Sequence, residues 1–307
     1  MLGKFLGTIY GLAIGDALGR PYESSNYEYM KAIPNEEILN LKRLKITDDT
    51  TMALCIMRSI VKKGILDPED IANEYLKEYL AGGFYGIGLT VNRALLKFQE
   101  TKDWRTCGVR SYWAAGNGVA MRIAPIALYD AFTDYEELYE HVRNDGWITH
   151  KNELAISGAF AIALGINRAL FKKDKESILE EVLETLKSFG IVNPVLDNIQ
   201  KAQKLYEEKV SPMTAYLNLG VSGYVVHTVS SAFYTFLKFD TYIDGILSII
   251  RAGDDTDTNA AVAGALLGAF YGMEIIPDHL IERLEVKNEI DSLTKKLYLI
   301  AERRKKK

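Results

Sequence analysis

The chain has 307 residues, of which 48% are hydrophobic, and its 37 Lys and Arg against 41 Asp and Glu give a formal net charge of −4. This composition supplies enough apolar material for a large core, so it excludes a disordered chain and a disulfide-stapled miniprotein. The slightly acidic balance gives no electrostatic attraction to nucleic acid or to an anionic membrane. Cys55 and Cys107 are too few for a disulfide framework or a zinc cluster, which indicates a reducing cytoplasm.

We expect neither a signal peptide nor a membrane span. The apolar run at residues 5–14 is followed by Asp16 and Arg20 without a cleavage pattern of small residues. The longest stretch free of Asp, Glu, Lys and Arg covers residues 211–237, but it contains Pro212, His227 and many hydroxyl groups. This stretch is typical of a buried core helix.

The clearest periodic segments follow the helical repeat. Apolar residues in the segments 67–80 and 176–189 fall on single helical stripes. Proline beside a residue that can cap a helix is a typical start signal. The sequence carries this signal at Asp67-Pro68, Asn193-Pro194, Ser211-Pro212 and Pro277-Asp278.

The chain as a whole favours one all-α domain. Alternation of apolar and polar residues with a period of two is hard to find, so we predict about a dozen helices. No linker rich in Pro, Gly and Ser divides the chain, so we expect residues 1–307 to form a single domain. The basic tail at residues 303–307 is expected to be a solvated, frayed helix end.

Two stripes of glycine recur at every fourth residue. Glycine inside a helix costs about 1 kcal/mol relative to alanine, so a stripe needs a compensating gain. Close approach of another helix to the bare surface supplies one, and we predict that the stripes lie at the centre of the bundle, against each other. The first stripe is Gly3, Gly7, Gly11, Gly15 and Gly19, and the second is Gly264, Gly268 and Gly272.

Two acidic clusters carry the strongest chemical signal. Residues 46–51 and residues 253–259 each place adjacent carboxylates and hydroxyls directly before a very apolar helix. A helix cap explains one such residue per cluster, but adjacent buried carboxylates without a counter-charge are costly. A hard divalent cation, Mg²⁺ or Mn²⁺, resolves this cost because it prefers carboxylate, hydroxyl and water oxygens. If folding joins the clusters, two bridged metal ions are expected.

Other candidate features are weaker on their own. Glu23 follows the first helix and reads as an ordinary surface acid. The turns at residues 86–88 and 116–118 precede helical stretches, where free backbone N–H groups can hold a phosphate, although an ordinary turn or cap is the simpler reading. The four histidines form no recognisable zinc motif.

Five motifs recur along the chain in a recognisable order. They are GDALGRPYE (15–23), TDDTTMAL (47–54), GNGVAMRIAP (116–125), ITHKNELA (148–155) and GDDTDTNAAVAGALLGAFYG (253–272). Taken together, they resemble the ADP-ribosylglycohydrolase family, which includes the hydrolase that reactivates ADP-ribosylated dinitrogenase reductase. The resemblance covers most of the chain and follows the family's order of motifs. It implies an orthogonal multi-helix bundle with a dinuclear Mg²⁺ or Mn²⁺ centre.

The resemblance also implies roles for individual residues. Glu23 matches the family's catalytic glutamate, and His150 matches a histidine that contacts the ligand. Asp254 departs from the family, which often has glycine there, and leaves open which neighbouring Asp coordinates. The implied metal ligands are Thr47, Asp48, Asp49, Asp255, Asp257 and Thr258. The implied ADP-ribose contacts are Gly86, Gly88, Gly116, Asn117, Gly118, Met121 and His150.

The implied reaction is hydrolysis of the glycosidic bond between ADP-ribose and an acceptor, with Glu23 as general acid or base. The acceptor is expected to be a modified protein side chain or a small conjugate such as O-acetyl-ADP-ribose, and the enzyme a monomer in the cytoplasm. One alternative is a module that binds ADP-ribose without cleaving it. A terpenoid synthase is disfavoured because Met52, not Asp, follows Asp48 at the fourth position.

Overall fold

The computed structural model describes residues 1–305, and that part of the chain consists of helices joined by loops, with no strand. It contains eighteen α-helices and three short 3₁₀ helices, so the all-α prediction is confirmed. The α-helices are α1 Leu2–Gly19, α2 Tyr27–Ala32, α3 Asn35–Leu39, α4 Asp48–Lys63, α5 Pro68–Leu80, α6 Leu89–Thr101, α7 Trp104–Cys107, α8 Ala124–Tyr129, α9 Tyr135–Thr149, α10 Glu153–Ala169, α11 Lys175–Ser188, α12 Pro194–Glu207, α13 Pro212–Leu219, α14 Val225–Lys238, α15 Tyr242–Ile250, α16 Thr256–Tyr271, α17 Asp278–Arg283 and α18 Lys287–Arg304. The 3₁₀ helices are Arg20–Tyr22, Ala120–Arg122 and Met273–Ile275.

The proline-marked helix starts are confirmed. Asp67, Asn193 and Ser211 each cap a helix whose first residue is proline, and each side chain accepts a backbone N–H of the first turn. The helix count exceeds the expected dozen because several helices have only four to six residues. Helices that short do not show a periodic apolar stripe.

The uncharged stretch at 211–237 forms two helices, not one. Helix α13 ends before Gly220, whose φ of +85° is a conformation that glycine adopts readily, and α14 begins at Val225. Within residues 1–305, no helix is long and apolar enough to cross a bilayer.

The two glycine stripes pack against each other, as the sequence predicts. Helices α1 and α16 approach so closely that a Cβ atom on Gly11 would overlap the Gly264 carbonyl, and the reverse also holds. Gly7 meets Gly268 in the same way. This seam brings the end of α1 to the start of α16, where the Thr256 hydroxyl donates to the Gly19 carbonyl at 2.8 Å. The motif that contains Glu23 therefore lies beside the second acidic cluster.

The last helix extends into residues 303–307, which were predicted to be a frayed tail. Helix α18 includes Arg303 and Arg304. The Arg304 guanidinium pairs with Asp130 at 2.8 Å and with Glu137 at 3.0 Å, which anchors the end of this helix to α8 and α9. Residues 306 and 307 of the predicted tail lie outside the described residues.

Candidate functional site

The two acidic clusters meet at one cavity of about 260 Å³. Helix α4 begins at Asp48, and the Thr258 hydroxyl in the first turn of α16 donates to the Asp49 carboxylate at 3.4 Å. Most of the implied site residues line this cavity: Glu23, Asp48, Asp49, Gly86, Gly88, Gly116, Asn117, Gly118, Met121, His150, Asp255, Asp257 and Thr258.

Thr47 is the one implied ligand that does not line the cavity. Its hydroxyl accepts the backbone N–H of Asp49 at 3.3 Å, so it caps α4. The cap fixes where the helix begins and therefore which way the next two carboxylates project. Asp257 lies inside the first turn of α16, and Asp255 is the residue just before that helix.

Asp16 supports the first cluster from α1 and was missed by the sequence reasoning. Its fully buried carboxylate accepts the backbone N–H groups of Thr47 and Thr50 at 3.0 and 3.2 Å, and the Thr50 hydroxyl at 2.5 Å. Burial raises its pKa to about 6 against the opposing effect of these hydrogen bonds. The signal in the sequence that could have indicated this role is an acidic residue inside the otherwise apolar and glycine-rich segment of α1.

The cavity carboxylates lack a counter-charge. Among residues 1–305, no ion pair involves Asp48, Asp49, Asp255 or Asp257. Burial and the neighbouring Asp16 raise the pKa of Asp48 to about 7, and burial and Asp255 raise the pKa of Asp257 to about 9. Burial also raises the pKa of Asp49.

A buried oxygen of Asp49 marks where a cation fits. Its Oδ2 atom is buried and has no hydrogen-bond partner, which is costly in a protein interior. Carboxylate and hydroxyl oxygens from two helices face the same cavity, and this donor set is the one that Mg²⁺ and Mn²⁺ prefer. The residues present therefore fit a hard divalent metal.

A second acidic group, Asp130, Glu137 and His141, has potential ligand atoms within 4.8 Å of one another. The Arg304 guanidinium contacts both carboxylates, and the His141 ring lies 2.7 Å from Asp130. A cationic side chain thus already neutralises this group, so it is a structural charge network that holds the C-terminal helix.

Asp254 and Asp255 face different surroundings. The Asp255 carboxylate faces the cavity and accepts Nδ2 of Asn117 at 2.7 Å. Asp254 is exposed and does not line the cavity; its φ of +60° explains why glycine suits this position. Its backbone exchanges two hydrogen bonds with Ser24 and Ser25, both at 2.7 Å, which fixes the turn after Glu23.

The two glycine turns, residues 86–88 and 116–118, pack directly against Asp48 and His150. A Cβ atom on Gly86 would lie 3.2 Å from Oδ1 of Asp48, and one on Gly118 would lie 2.8 Å from the His150 ring. The second turn is also tied to the loop before α14, because Asn117 donates its backbone N–H to Gly223 at 3.0 Å. Larger residues would narrow the cavity at both turns.

His150 is held as a neutral ring at the cavity wall. Its Nδ1 lies 2.8 Å from the Thr149 hydroxyl, which also accepts from the Arg122 guanidinium at 2.8 Å. Burial and the Arg122 charge lower the His150 pKa to about 3. Arg122 is itself fully buried and pairs with Asp145 at 3.0 Å. The sequence reasoning missed this pair, although Arg122 lies inside a quoted motif.

Glu23 stands at the rim of the cavity. It follows the 3₁₀ helix Arg20–Tyr22 and is exposed, yet partial burial and the nearby Asp255 raise its pKa. A carboxyl group with a raised pKa, next to a cavity lined by further carboxylates, can exchange a proton with a bound ligand.

Comparison with known proteins places this site in an enzyme family. The family model described as ADP-ribosylglycohydrolase matches residues 1–307, so the chain belongs to that family and is a glycohydrolase. The ADP-ribosylarginine hydrolase Tri1 of Pseudomonas putida is 28% identical over 97% of this chain and 78% of its own length. The ADP-ribosyl-dinitrogen reductase glycohydrolase of Rhodospirillum rubrum is 27% identical over 93% of this chain and 92% of its own.

A solved structure supports the fold assignment. The ADP-ribosylglycohydrolase-related protein complex superposes with a TM-score of 0.73 and 26% sequence identity, over 98% of both chains. The predicted bundle type is therefore confirmed.

Proposed function

We propose that the protein cleaves the glycosidic bond between ADP-ribose and a modified protein side chain, with a dinuclear Mg²⁺ or Mn²⁺ centre and Glu23 as acid or base. The main support is the meeting of two unneutralised carboxylate clusters in one cavity with Glu23 at its rim. Paired carboxylates around a sugar are the usual apparatus of glycoside hydrolysis.

The metal centre would be held by Asp48, Asp49, Asp255, Asp257 and Thr258. The orphaned Asp49 oxygen and the raised carboxyl pKa values support this assignment. When bound, the ions supply Lewis-acid polarisation and an activated water. Thr47 is not part of this proposed ligand set, because its hydroxyl caps α4 by accepting the backbone N–H of Asp49.

The remaining cavity residues orient the ADP-ribose. The turns at residues 86–88 and 116–118 line the cavity, and their glycines leave room for the pyrophosphate. The neutral His150 ring lies against the second turn and is suited to contact the ligand without adding charge. Met121 forms part of the apolar wall.

Glu23 acts as the general acid and base near the scissile bond. Its raised pKa brings it closer to neutrality than an ordinary glutamate, so it can donate to a leaving group and later accept from water. The carboxylates inside the cavity stabilise positive charge that develops on the ribose ring in an oxocarbenium-like transition state.

A protein conjugate is the favoured substrate, and arginine is the first linkage to test. The support comes from the two relatives whose names specify ADP-ribosylarginine and ADP-ribosylated dinitrogen reductase. Cytoplasmic location, compatible with two free buried cysteines, and a monomeric state remain predictions.

The test is a screen of ADP-ribose release, with added Mg²⁺ or Mn²⁺, from ADP-ribosylarginine, ADP-ribosylserine peptide and O-acetyl-ADP-ribose. We expect the wild-type protein to cleave the arginine conjugate fastest and Glu23→Gln to lose turnover while still binding ADP-ribose by calorimetry. Binding of ADP-ribose without cleavage of any conjugate would refute the proposal.

A further inference from the structure

A basic groove lies beside the candidate active site and has no part in the chemistry described so far. Two neighbouring cavities, of about 540 and 450 Å³, share Arg110 and Lys151 in their walls. Lys151 directly follows His150, and the backbone of Val109 pairs with that segment through hydrogen bonds of 2.9 and 3.0 Å. The groove is therefore one residue away from the wall of the catalytic cavity.

The groove gathers five cationic side chains without ionic partners. They are Arg93, Lys97, Arg110, Arg143 and Lys151. None of them forms an ion pair within the described range 1–305. Glu153 is the one acid in the wall of the first cavity, and none lines the second.

These charges are held in place and not merely scattered. Lys97 donates to the Thr106 carbonyl at 2.6 Å, and Lys151 donates to the Arg105 carbonyl, so backbone oxygens position both ammonium groups without neutralising them. The Arg143 guanidinium stacks over Trp147 at 5.2 Å, and its buried Nε atom has no hydrogen-bond partner. The chain has a net charge of −4, so this set forms a positively charged patch on an acidic protein.

Helix α6 connects this groove to the mouth of the catalytic cavity. Leu89 lines that cavity and is 74% exposed, and Arg93 and Lys97 follow it at intervals of four residues, so all three lie on one helix face. A chain that leaves the cavity mouth along this face passes the two cations in turn.

From these observations we infer that the groove docks an acidic segment of the protein that carries the ADP-ribose. This inference rests on the proposed function, which places a modified protein at the cavity mouth. Arg93, Lys97 and Arg110 are exposed, whereas sites for small ligands enclose most of the ligand. An extended acidic polypeptide meets exposed charges of this kind with complementary carboxylates.

A nucleic acid fits the groove less well. The chain is acidic overall, whereas nucleic-acid-binding domains are usually strongly basic. The Trp147 ring is also occupied, since Arg143 and Lys151 stack over it at 5.2 and 5.0 Å. It is therefore not free to stack a base.

The test compares ADP-ribosylarginine peptides that differ only in their flanks, which are rich in Asp and Glu, neutral, or rich in Lys. We expect the wild-type protein to show kcat/KM about tenfold higher for the acidic flank, with the advantage lost at high salt. The variant K97E/R110E is expected to lose that advantage while it cleaves free ADP-ribosylarginine normally. The matched control K295E/K296E changes two exposed lysines of α18 and is expected to behave as wild type.

A binding arm separates this inference from the proposed function. A fluorescent acidic peptide without ADP-ribose is titrated into the wild-type protein and both variants, so the groove is tested even if no conjugate is cleaved. Equal kcat/KM for all flanks, or equal peptide binding by wild type and K97E/R110E, would overturn the inference. Tighter binding of a single-stranded RNA than of the acidic peptide, weakened by K97E/R110E, would also overturn it.

Discussion

The Thr258 hydroxyl on α16 donates a hydrogen bond to the Asp49 carboxylate on α4 at 3.4 Å, across 209 residues of sequence. This contact joins the two acidic clusters at the cavity. Each cluster also lies at the start of a helix, where backbone N–H groups and the helix dipole favour negative charge, and this position stabilises the buried carboxylates.

The unpaired, buried carboxyl group of Asp257 predicts the behaviour of Asp257→Asn. Because Asp257 is buried without an ionic partner, its removal should leave the metal-free protein at least as stable as wild type. The variant should lose metal-induced stabilisation, which for wild type at a hundredfold excess over Kd is about 2.7 kcal/mol. Calorimetric titration with Mn²⁺ and thermal melts measure both effects. A metal response equal to that of wild type would remove Asp257 from the ligand set.

The raised carboxyl pKa values predict an unusual pH dependence for the metal-free protein. Asp48 and Asp257 have folded-state pKa values of about 7 and 9, against an ordinary 3.8, so the folded chain binds protons that the unfolded chain has released. Their contribution to stability is complete at acidic pH and is lost as pH rises toward 9.

Melts in EDTA between pH 5 and 8.5 test this point, with the double variant D48N/D257N as the control for other groups. The wild-type protein should lose more stability over this range than the double variant, and added Mg²⁺ should reverse the loss. Parallel curves for the two proteins would contradict the pKa assignment.

The glycine seam predicts that Gly11→Leu does not fold. The carbonyl of Gly264 occupies the space that any side chain at this position needs, so α1 and α16 would have to separate. Circular dichroism and size-exclusion chromatography measure the outcome. Gly88→Ala is the matched control, because nothing lies within 4 Å of a Cβ atom there, and it should fold normally. A native-like Gly11→Leu protein would refute the seam.

The pair of Arg122 and Asp145 predicts a different failure. Asp145→Asn leaves a fully buried guanidinium without its charge partner, which typically costs about 3–5 kcal/mol. Chemical denaturation measures this loss. Because Arg122 also donates to the Thr149 hydroxyl beside His150, ADP-ribose affinity should fall in the folded fraction. An unchanged unfolding free energy would contradict the buried ion pair.

Asp254→Gly distinguishes the backbone role of Asp254 from a metal role. Glycine adopts the φ of +60° without steric cost, so the variant should keep the turn after Glu23 and bind Mn²⁺ as wild type does. Asp255→Asn is the paired comparison and should weaken metal binding. A matching loss of Mn²⁺ affinity in Asp254→Gly would show that Asp254 is a ligand.

Local signals in the sequence predicted much of this architecture. Capping residues beside proline marked the starts of α5, α12, α13 and α17, and the spacing of glycine indicated the seam. The acidic clusters indicated a cation because repulsion between neighbouring carboxylates depends only on residues adjacent in sequence. The role predicted for Glu23 rests on family resemblance, since an isolated acid has no local signature.

The features that were missed depend on distant partners. Asp16 supports residues 47 and 50 on another helix, and Arg122 pairs with Asp145 on α9. The break between α13 and α14 was missed because an uncharged stretch with few glycines resembles one continuous helix. The capping role of Thr47 was also missed, because a capping hydroxyl and a coordinating hydroxyl occupy the same place in the sequence.

The central claim is that the joined acidic clusters hold metal ions needed for turnover. The most direct measurement is ADP-ribose release from ADP-ribosylarginine by thoroughly chelated protein, before and after Mg²⁺ or Mn²⁺ is restored. The account predicts no release after chelation and recovery when the metal is added. Full release by the chelated protein would contradict it.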